Sequence, residues 1–119
     1  MIAKEILIEF FDETRKLKAN GKARFDINKE CRWSYFFTDV NRDKLAEAGR
    51  HLEEIGYEVR GFLDPSPDDE CQTIFLRFDR VETHTPESLF ERNASLYALA
   101  DRFELDSYDG MDVGALDGP

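Results

Sequence analysis

The chain has 119 residues, of which 41% are hydrophobic and ten are Phe, and its formal net charge is −10. This size suits one domain, residues 1–119, whose core needs no disulfide or metal to hold it together. No apolar run approaches the roughly 20 residues of a membrane helix, and the first residues do not resemble a signal peptide, so we expect a cytoplasmic protein.

The charge is distributed unevenly. Residues 1–60 hold twelve Lys or Arg and twelve Asp or Glu, whereas residues 61–119 hold four and fourteen. A nucleic-acid-binding protein needs a basic face that displaces counterions from phosphates, so direct binding of RNA or DNA is not expected. An acidic surface suits a basic protein partner, or it keeps the domain soluble.

The N-terminal third begins with a helical pattern. Apolar residues recur every three or four positions over residues 2–18, which predicts a helix that ends at Gly21. The following residues, 22–31, are polar and weakly patterned. We expect at most a short edge strand there, at Phe25 and Ile27.

The middle of the chain alternates between strand and helix patterns. Residues 32–38 are rich in aromatic residues and predict a strand. A helix is predicted over residues 41–55, with Leu52 in its apolar stripe. Strands are predicted over residues 57–64 and 71–81, and the Pro-rich and acidic stretch between them is expected to be a turn or hairpin loop.

The last part of the chain repeats the order of helix and strand. Thr85 is a good N-cap for a helix over residues 86–103 that begins with proline and carries Leu96 on its inner stripe. A short strand is predicted at residues 107–113, and residues 114–119 are expected to fray.

The order of these elements predicts the fold class. Two strand–helix–strand units with short loops and right-handed crossovers give four strands with two helices on one face. We therefore predict an α+β, ferredoxin-like split βαβ fold with a four-stranded antiparallel sheet over residues 32–116, preceded by an N-terminal helix within residues 1–20.

Aromatic residues are predicted on both faces of this sheet, and one face must pack under the helices. The two candidate sets are Trp33, Tyr35 and Phe37, and Phe36, Phe62 and Phe75. An exposed set flanked by basic residues would resemble an RNA-binding platform. The sequence leaves open which set packs under the helices, and we expect the N-terminal helix to cover the other set, because its own apolar stripe needs a partner.

Three segments resemble a known family. Arg80–Leu89 reads RVETHTPESL, Tyr108–Gly114 reads YDGMDVG, and Gly56–Val59 reads GYEV. Together they are similar to the RraB family, the regulators of ribonuclease E activity, over residues 32–116. The resemblance implies a ferredoxin-like fold and no enzyme activity, and it implies a protein partner, since the family's namesake binds ribonuclease E and inhibits its action on RNA.

The leading hypothesis is therefore a non-catalytic protein that binds ribonuclease E or another enzyme with a basic segment. The alternative is a small adaptor or an immunity-type inhibitor of a different cytoplasmic enzyme. Two features depart from the family pattern. Met111 stands where Trp is usual. Members with the established role carry a long acidic tail, whereas only two acidic residues, Asp112 and Asp117, follow Gly110 here.

Catalytic and metal sites have little support in the sequence. Cys31 and Cys71 are 40 residues apart without a Cys-x-x-Cys motif, so we expect two buried or half-buried thiols at strand starts and no metal site. His51 is expected to be solvated on the outer face of its helix. His84 is expected to help set the turn before the third helix. We predict no catalytic residue and no cofactor.

Acidic residues are the candidates for partner binding. They form two groups in the sequence, one in the predicted loop and one near the end: Asp68, Asp69 and Glu70, and Asp106, Asp109, Asp112 and Asp117. Their spacing does not match a calcium-binding EF-hand loop. The sequence leaves open whether they form separate patches and which group contacts a partner.

Overall fold

The computed structural model describes residues 1–118, which form three helices and one four-stranded sheet. In chain order the elements are α1 (Lys4–Ala19), β1 (Cys31–Asp39), α2 (Arg42–Glu54), β2 (Glu58–Leu63), β3 (Ile74–Glu82), α3 (Pro86–Arg102) and β4 (Ser107–Gly114). The strand order is β2-β3-β1-β4, and every neighbouring pair is antiparallel. The predicted ferredoxin-like α+β sheet is confirmed.

The core lies between the sheet and the helices. Alternation along β1 turns Trp33, Tyr35 and Phe37 to one face, where all three are fully buried. Leu52 on α2 and Leu96 on α3 are buried against this face, so the predicted inner stripes of both helices are confirmed.

The N-terminal helix joins this helical layer. Its Phe11 ring stacks on Trp33 with 6.0 Å between ring centroids, and α1 packs against α3. Leu7 and Phe11 are fully buried there. The expectation that α1 covers the opposite sheet face is therefore wrong, because the large apolar surface of Trp33 offers its stripe a partner on the helical side.

The segment between α1 and β1 contains a turn instead of the expected edge strand. The Asp26 carboxylate accepts a hydrogen bond from the Asn28 N–H, and the Asp26 carbonyl accepts one from the Lys29 N–H, both at 2.9 Å. Ile27 is buried against the core, and Phe25 is half-buried. These local bonds satisfy the backbone without a strand partner.

The start of β3 and the residues after β4 also differ from the prediction. β3 begins at Ile74, because residues 71–73 still belong to the preceding turn. After β4 the chain turns at Ala115, whose carbonyl accepts a hydrogen bond from the Gly118 N–H, and the Arg32 Nε–H donates to the Leu116 carbonyl at 3.2 Å. These hydrogen bonds hold residues 115–118 in an ordered turn, which differs from the predicted fraying. Pro119 lies outside the described residues.

Bulges in the two edge strands change which side chains share a face. Gly110 in β4 has φ +113°, opposite a register shift between Phe36 and Phe37, as expected for a bulge at this glycine. Gly61 in β2 has φ +129°, and the register shifts there as well. This second bulge moves Phe62 to the helical side, so the expectation that it shares a face with Phe36 is wrong.

Candidate partner-binding surface

The sheet face opposite the helices is open. It carries the alternate residues of the two central strands, Ser34 and Phe36 on β1 and Phe75, Arg77 and Asp79 on β3. α2 and α3 pack on the other side of the sheet, and α1 packs against α3 there, although one side of α1 also borders a groove that reaches Ser34 and Phe36. The open face, with the loops at its ends, is therefore a surface on which the sheet itself can meet another molecule.

The centre of the open face is an ion-pair network around a buried carboxylate. The Asp79 side chain has no exposed surface, and its oxygens lie 3.1 Å from Arg32, 3.0 Å from Arg77 and 4.0 Å from Arg60. Burial alone would raise the pKa of Asp79, but hydrogen bonds from Arg77, Ser34 and Arg32 outweigh it and lower the pKa.

The arginines of this network are already paired with carboxylates of the same face. Arg32 also bonds Glu58 at 3.0 Å, and Arg60 pairs with the same carboxylate at 3.3 Å. A phosphate backbone would have to compete with two carboxylates for these guanidinium groups. The network therefore does not form the free basic surface that an RNA-binding sheet needs.

One end of the open face forms a groove of about 430 Å³ with an apolar floor and an acidic rim. Phe36, Phe75 and Leu63 supply apolar surface from three neighbouring strands, and the Leu63 side chain is 55% exposed. Asp69 from the β2–β3 loop and Asp109 from β4 line the same groove. The groove therefore brings one member of each acidic group together.

The β2–β3 loop holds its acidic residues by local hydrogen bonds. The Asp69 N–H donates to the Ser66 carbonyl at 2.9 Å, and the Asp69 carboxylate accepts from the Cys71 N–H at 3.1 Å. Such turns are favoured by aspartate, whose short side chain reaches the backbone two residues on. They fix the position of Asp69 at the rim of the groove.

The rim carboxylates differ in their partners. Asp64, a further lining residue, pairs with Arg42 at 2.6 Å. Within residues 1–118, neither Asp69 nor Asp109 forms an ion pair with a lysine, arginine or histidine. Asp69 and Asp109, which lie beside exposed apolar surface, thus have no cationic partner within residues 1–118.

The remaining acidic candidates lie elsewhere. Asp68 and Glu70 are exposed in the same loop as Asp69. Asp106 is exposed after α3, and its backbone N–H donates to the Asp39 carboxylate. Asp117 is exposed in the C-terminal turn. The seven candidates therefore do not form one cluster.

Asp112 belongs to a second groove of about 680 Å³. This groove lies between α1, residues 22–25 and the end of β4, and its lining includes Lys22, Arg24 and Arg32. A carboxylate among these cations is in a different environment from Asp69 and Asp109. The two grooves adjoin, since Phe36 lines both, but Asp112 is not among the residues that line the acid-rimmed groove.

Sequence patterns found only part of the acid-rimmed groove. Phe36 and Phe75 had been singled out as aromatic residues of one face, and both lie there. Leu63 and Asp64 had not been singled out. The sequence signal for the face of Leu63 was the alternation of side chains along β2. The bulge at Gly61 shifts this alternation by one residue, so it predicts the wrong face for Leu63.

Comparison with known proteins identifies the family. The family model described as regulator of ribonuclease activity B, RraB, matches residues 12–113, which is most of the chain. This chain belongs to the RraB family. No curated protein matches it at a significant level.

The RraB-like segment at the end of β3 builds a polar hub around Glu82. The Glu82 carboxylate accepts hydrogen bonds from the Tyr35 O–H at 2.6 Å and from Arg92 at 2.6 and 3.1 Å. It also lies 2.6 Å from His84 Nε2. Burial alone would raise the pKa of Glu82, but bonds from His84, Arg92 and Tyr35 lower it to about 2.

His84 connects this hub to the start of α3, as the sequence predicts. Its Nδ1 lies 2.8 Å from the Ser88 hydroxyl, and Ser88 and Thr85 bond each other's backbone in a capping box. Which ring nitrogen donates in these two contacts depends on the tautomer of the imidazole. The RraB-like motif of this chain thus joins β1, β3 and α3.

The cysteines and His51 do not form a nucleophilic pair. The Cys31 Sγ–H is within hydrogen-bonding distance of the Asp26 and Lys29 carbonyls, and burial raises the pKa of this thiol. Cys71 is exposed in the turn before β3 instead of buried or half-buried at a strand start. His51 is half-buried against the Phe103 ring, 5.5 Å away, instead of fully solvated, because the end of α3 packs beside α2.

Residues 1–118 contain neither a cluster of metal ligands nor a helix suited to cross a membrane. No group of three or more His, Cys, Asp or Glu in this part of the chain is arranged to hold a metal ion. No helix in it is both long and apolar enough to cross a membrane.

Proposed function

We propose that this RraB-family chain is a non-catalytic, cytoplasmic regulator that binds ribonuclease E or another RNA-processing enzyme directly. The family is one of regulators of ribonuclease activity. A regulator can act on RNA or on the enzyme that cleaves it. The acidic character of this chain favours the enzyme, because its second half repels phosphate.

The observation that carries the proposal is the acid-rimmed groove on the open face. Asp69 and Asp109 have no cation partner within residues 1–118, and they stand beside exposed apolar surface. Exposed apolar surface rimmed by polar residues is typical of protein interaction sites. The partner surface would be basic, as the seven acidic candidate residues also suggest.

The test is capture of the partner followed by an activity assay. The tagged chain is incubated with native lysate, and bound proteins are identified by mass spectrometry. The captured ribonuclease is then purified, and its cleavage of a defined RNA is measured as the chain is added. We expect the rate of RNA cleavage to change in proportion to the concentration of the complex between the chain and the ribonuclease.

Two results would contradict the proposal. If the captured enzyme is not an RNA-processing enzyme, the alternative of a small adaptor or immunity-type inhibitor takes its place. If the chain itself cleaves or chemically modifies RNA, the non-catalytic assignment fails. A chain heated to unfold it serves as the control for non-specific effects of an acidic polypeptide.

A further inference from the structure

We propose that the acid-rimmed groove is an arginine-selective docking site for an extended segment of the partner protein. An arginine side chain of that segment would lie on Phe36 and Phe75 while its guanidinium pairs with Asp69 and Asp109. The inference rests on the proposed function, since it names the surface and the chemistry through which the partner is held.

The floor of the groove selects among cations. Phe36 and Phe75 are half-buried, and they present ring surface next to Leu63. A guanidinium is planar and weakly hydrated, and it stacks on aromatic rings more readily than an ammonium does. Lysine would have to lose more hydration to reach the same position. The apolar floor therefore favours arginine over lysine.

The rim supplies the complementary charge. Asp69 and Asp109 line the groove without an ion-pair partner within residues 1–118, and no lysine or arginine is among the lining residues. A guanidinium can donate to two carboxylates at once from its fixed fork of N–H groups. An anionic ligand would be repelled by the same rim.

The protein already contains the proposed arrangement beside the groove. The Arg42 guanidinium lies 4.1 Å from the centroid of the Phe62 ring and 2.6 Å from the carboxylate of Asp64, which itself lines the groove. This end of the sheet therefore already holds one arginine between a phenylalanine ring and an aspartate. The partner's arginine would repeat this geometry on the open side.

The size of the groove limits its occupant. Its volume of about 430 Å³ lies in the lower part of the range for pockets that hold small molecules. It therefore suits one or two side chains of an extended segment, with the rest of the segment lying across the open sheet face. Anchoring by a few inserted side chains is how most interfaces obtain their affinity.

Two synthetic peptides test the selectivity. Fluorescein-labelled ten-residue peptides, one alternating arginine with alanine and the other alternating lysine with alanine, carry equal charge. Fluorescence anisotropy with the full chain gives both affinities at the same salt concentration. We expect the arginine peptide to bind at least about fivefold more tightly. Equal affinities, or tighter binding of the lysine peptide, would overturn the proposal.

Variants locate the site. Phe36→Leu with Phe75→Leu should keep the apolar floor but remove the ring faces. The arginine and lysine peptides should then bind with about equal affinity. If that pair unfolds, Phe75→Leu alone should still reduce the preference. Each variant is first checked for the wild-type circular dichroism spectrum.

A matched pair of charge variants separates the groove from general acidity. Asp69→Asn with Asp109→Asn removes two charges from the rim, whereas Glu9→Gln with Glu91→Gln removes two exposed charges from the helical side. The first pair should weaken binding of the arginine peptide about tenfold, and the second by less than about twofold. Equal losses would contradict a site in the groove.

The outcome can be separated from that of the proposed function. If a ribonuclease is captured and regulated but the peptides are not discriminated, the arginine site fails and the proposed function stands. If the peptides are discriminated through the groove but no RNA-processing enzyme is captured, the site stands and the proposed function fails.

Discussion

Asp69 and Asp109 line one groove although they are forty positions apart in the sequence. Asp69 lies in the loop before β3, and Asp109 lies near the start of β4. Both strands begin beside the end of β1, where Ile74 pairs with Asp39 and Ser107 with Thr38. The strand order therefore makes neighbours of two acidic segments that the sequence presents as separate.

The first prediction concerns the core. Leu52→Ala or Leu96→Ala should each lower the free energy of unfolding by about 2–5 kcal/mol, because each leaves a cavity under a helix. Ile6→Ala, at a side chain that is 57% exposed, should change it by less than about 0.5 kcal/mol. Denaturant unfolding measures all three, and losses below about 0.5 kcal/mol at the leucines would mean that the helical stripes are wrongly placed.

The second prediction concerns the hub around Glu82. Glu82→Gln should lower the free energy of unfolding at pH 7 by about 3 kcal/mol, because Arg92 loses its charged partner in a largely buried site. The exposed Glu91→Gln on α3 serves as the control and should have little effect.

The pH dependence of this difference has a defined sign. The pKa of Glu82 is lowered to about 2 in the folded protein, from an ordinary value of 4.5. Its stabilising contribution is therefore complete above about pH 4.5 and is lost as the pH falls toward 2. Unfolding curves of wild type and Glu82→Gln should converge over this range, and a difference that grows with acidity would refute the assignment.

Much of the fold could be predicted from local patterns. The alternation placed Trp33, Tyr35 and Phe37 together on one face of β1, although it left open which face is buried, and Thr85 before a proline marked the start of α3. These signals depend on neighbours within a few residues.

The remaining features depend on contacts between distant segments. The placement of α1 was mispredicted, because the sequence does not show that Phe11 reaches Trp33. The face of Phe62 was mispredicted, because a bulge at Gly61 is not evident from the alternation. The shared groove of Asp69 and Asp109 follows from strand order and register, which local patterns do not encode.

The third prediction concerns the ion-pair network of the open face. Asp79→Asn should lower the free energy of unfolding by about 1–3 kcal/mol, because Arg32 and Arg77 would surround a neutral, fully buried side chain. The exposed Asp101→Asn on α3 is the control, and thermal unfolding at low and high salt compares the two. Equal stability of both variants would show that solvent screens the network.

The central claim is that the acid-rimmed groove contacts the partner enzyme, and association kinetics test it most directly. Surface plasmon resonance would measure binding of the captured ribonuclease to wild type, to Asp69→Asn with Asp109→Asn, and to Glu9→Gln with Glu91→Gln, two exposed residues on the helical side. Asparagine keeps the hydrogen-bond acceptor that the Cys71 N–H uses at Asp69, so the loop should hold its shape. Both pairs remove the same charge.

We expect the first pair to slow association at least about threefold at low salt and the second pair to leave it nearly unchanged, since rim charges act mainly on the encounter rate. The difference should shrink at high salt, because the screening length falls below about 8 Å. Equal association rates for both pairs, together with wild-type binding that ignores salt, would contradict the claim.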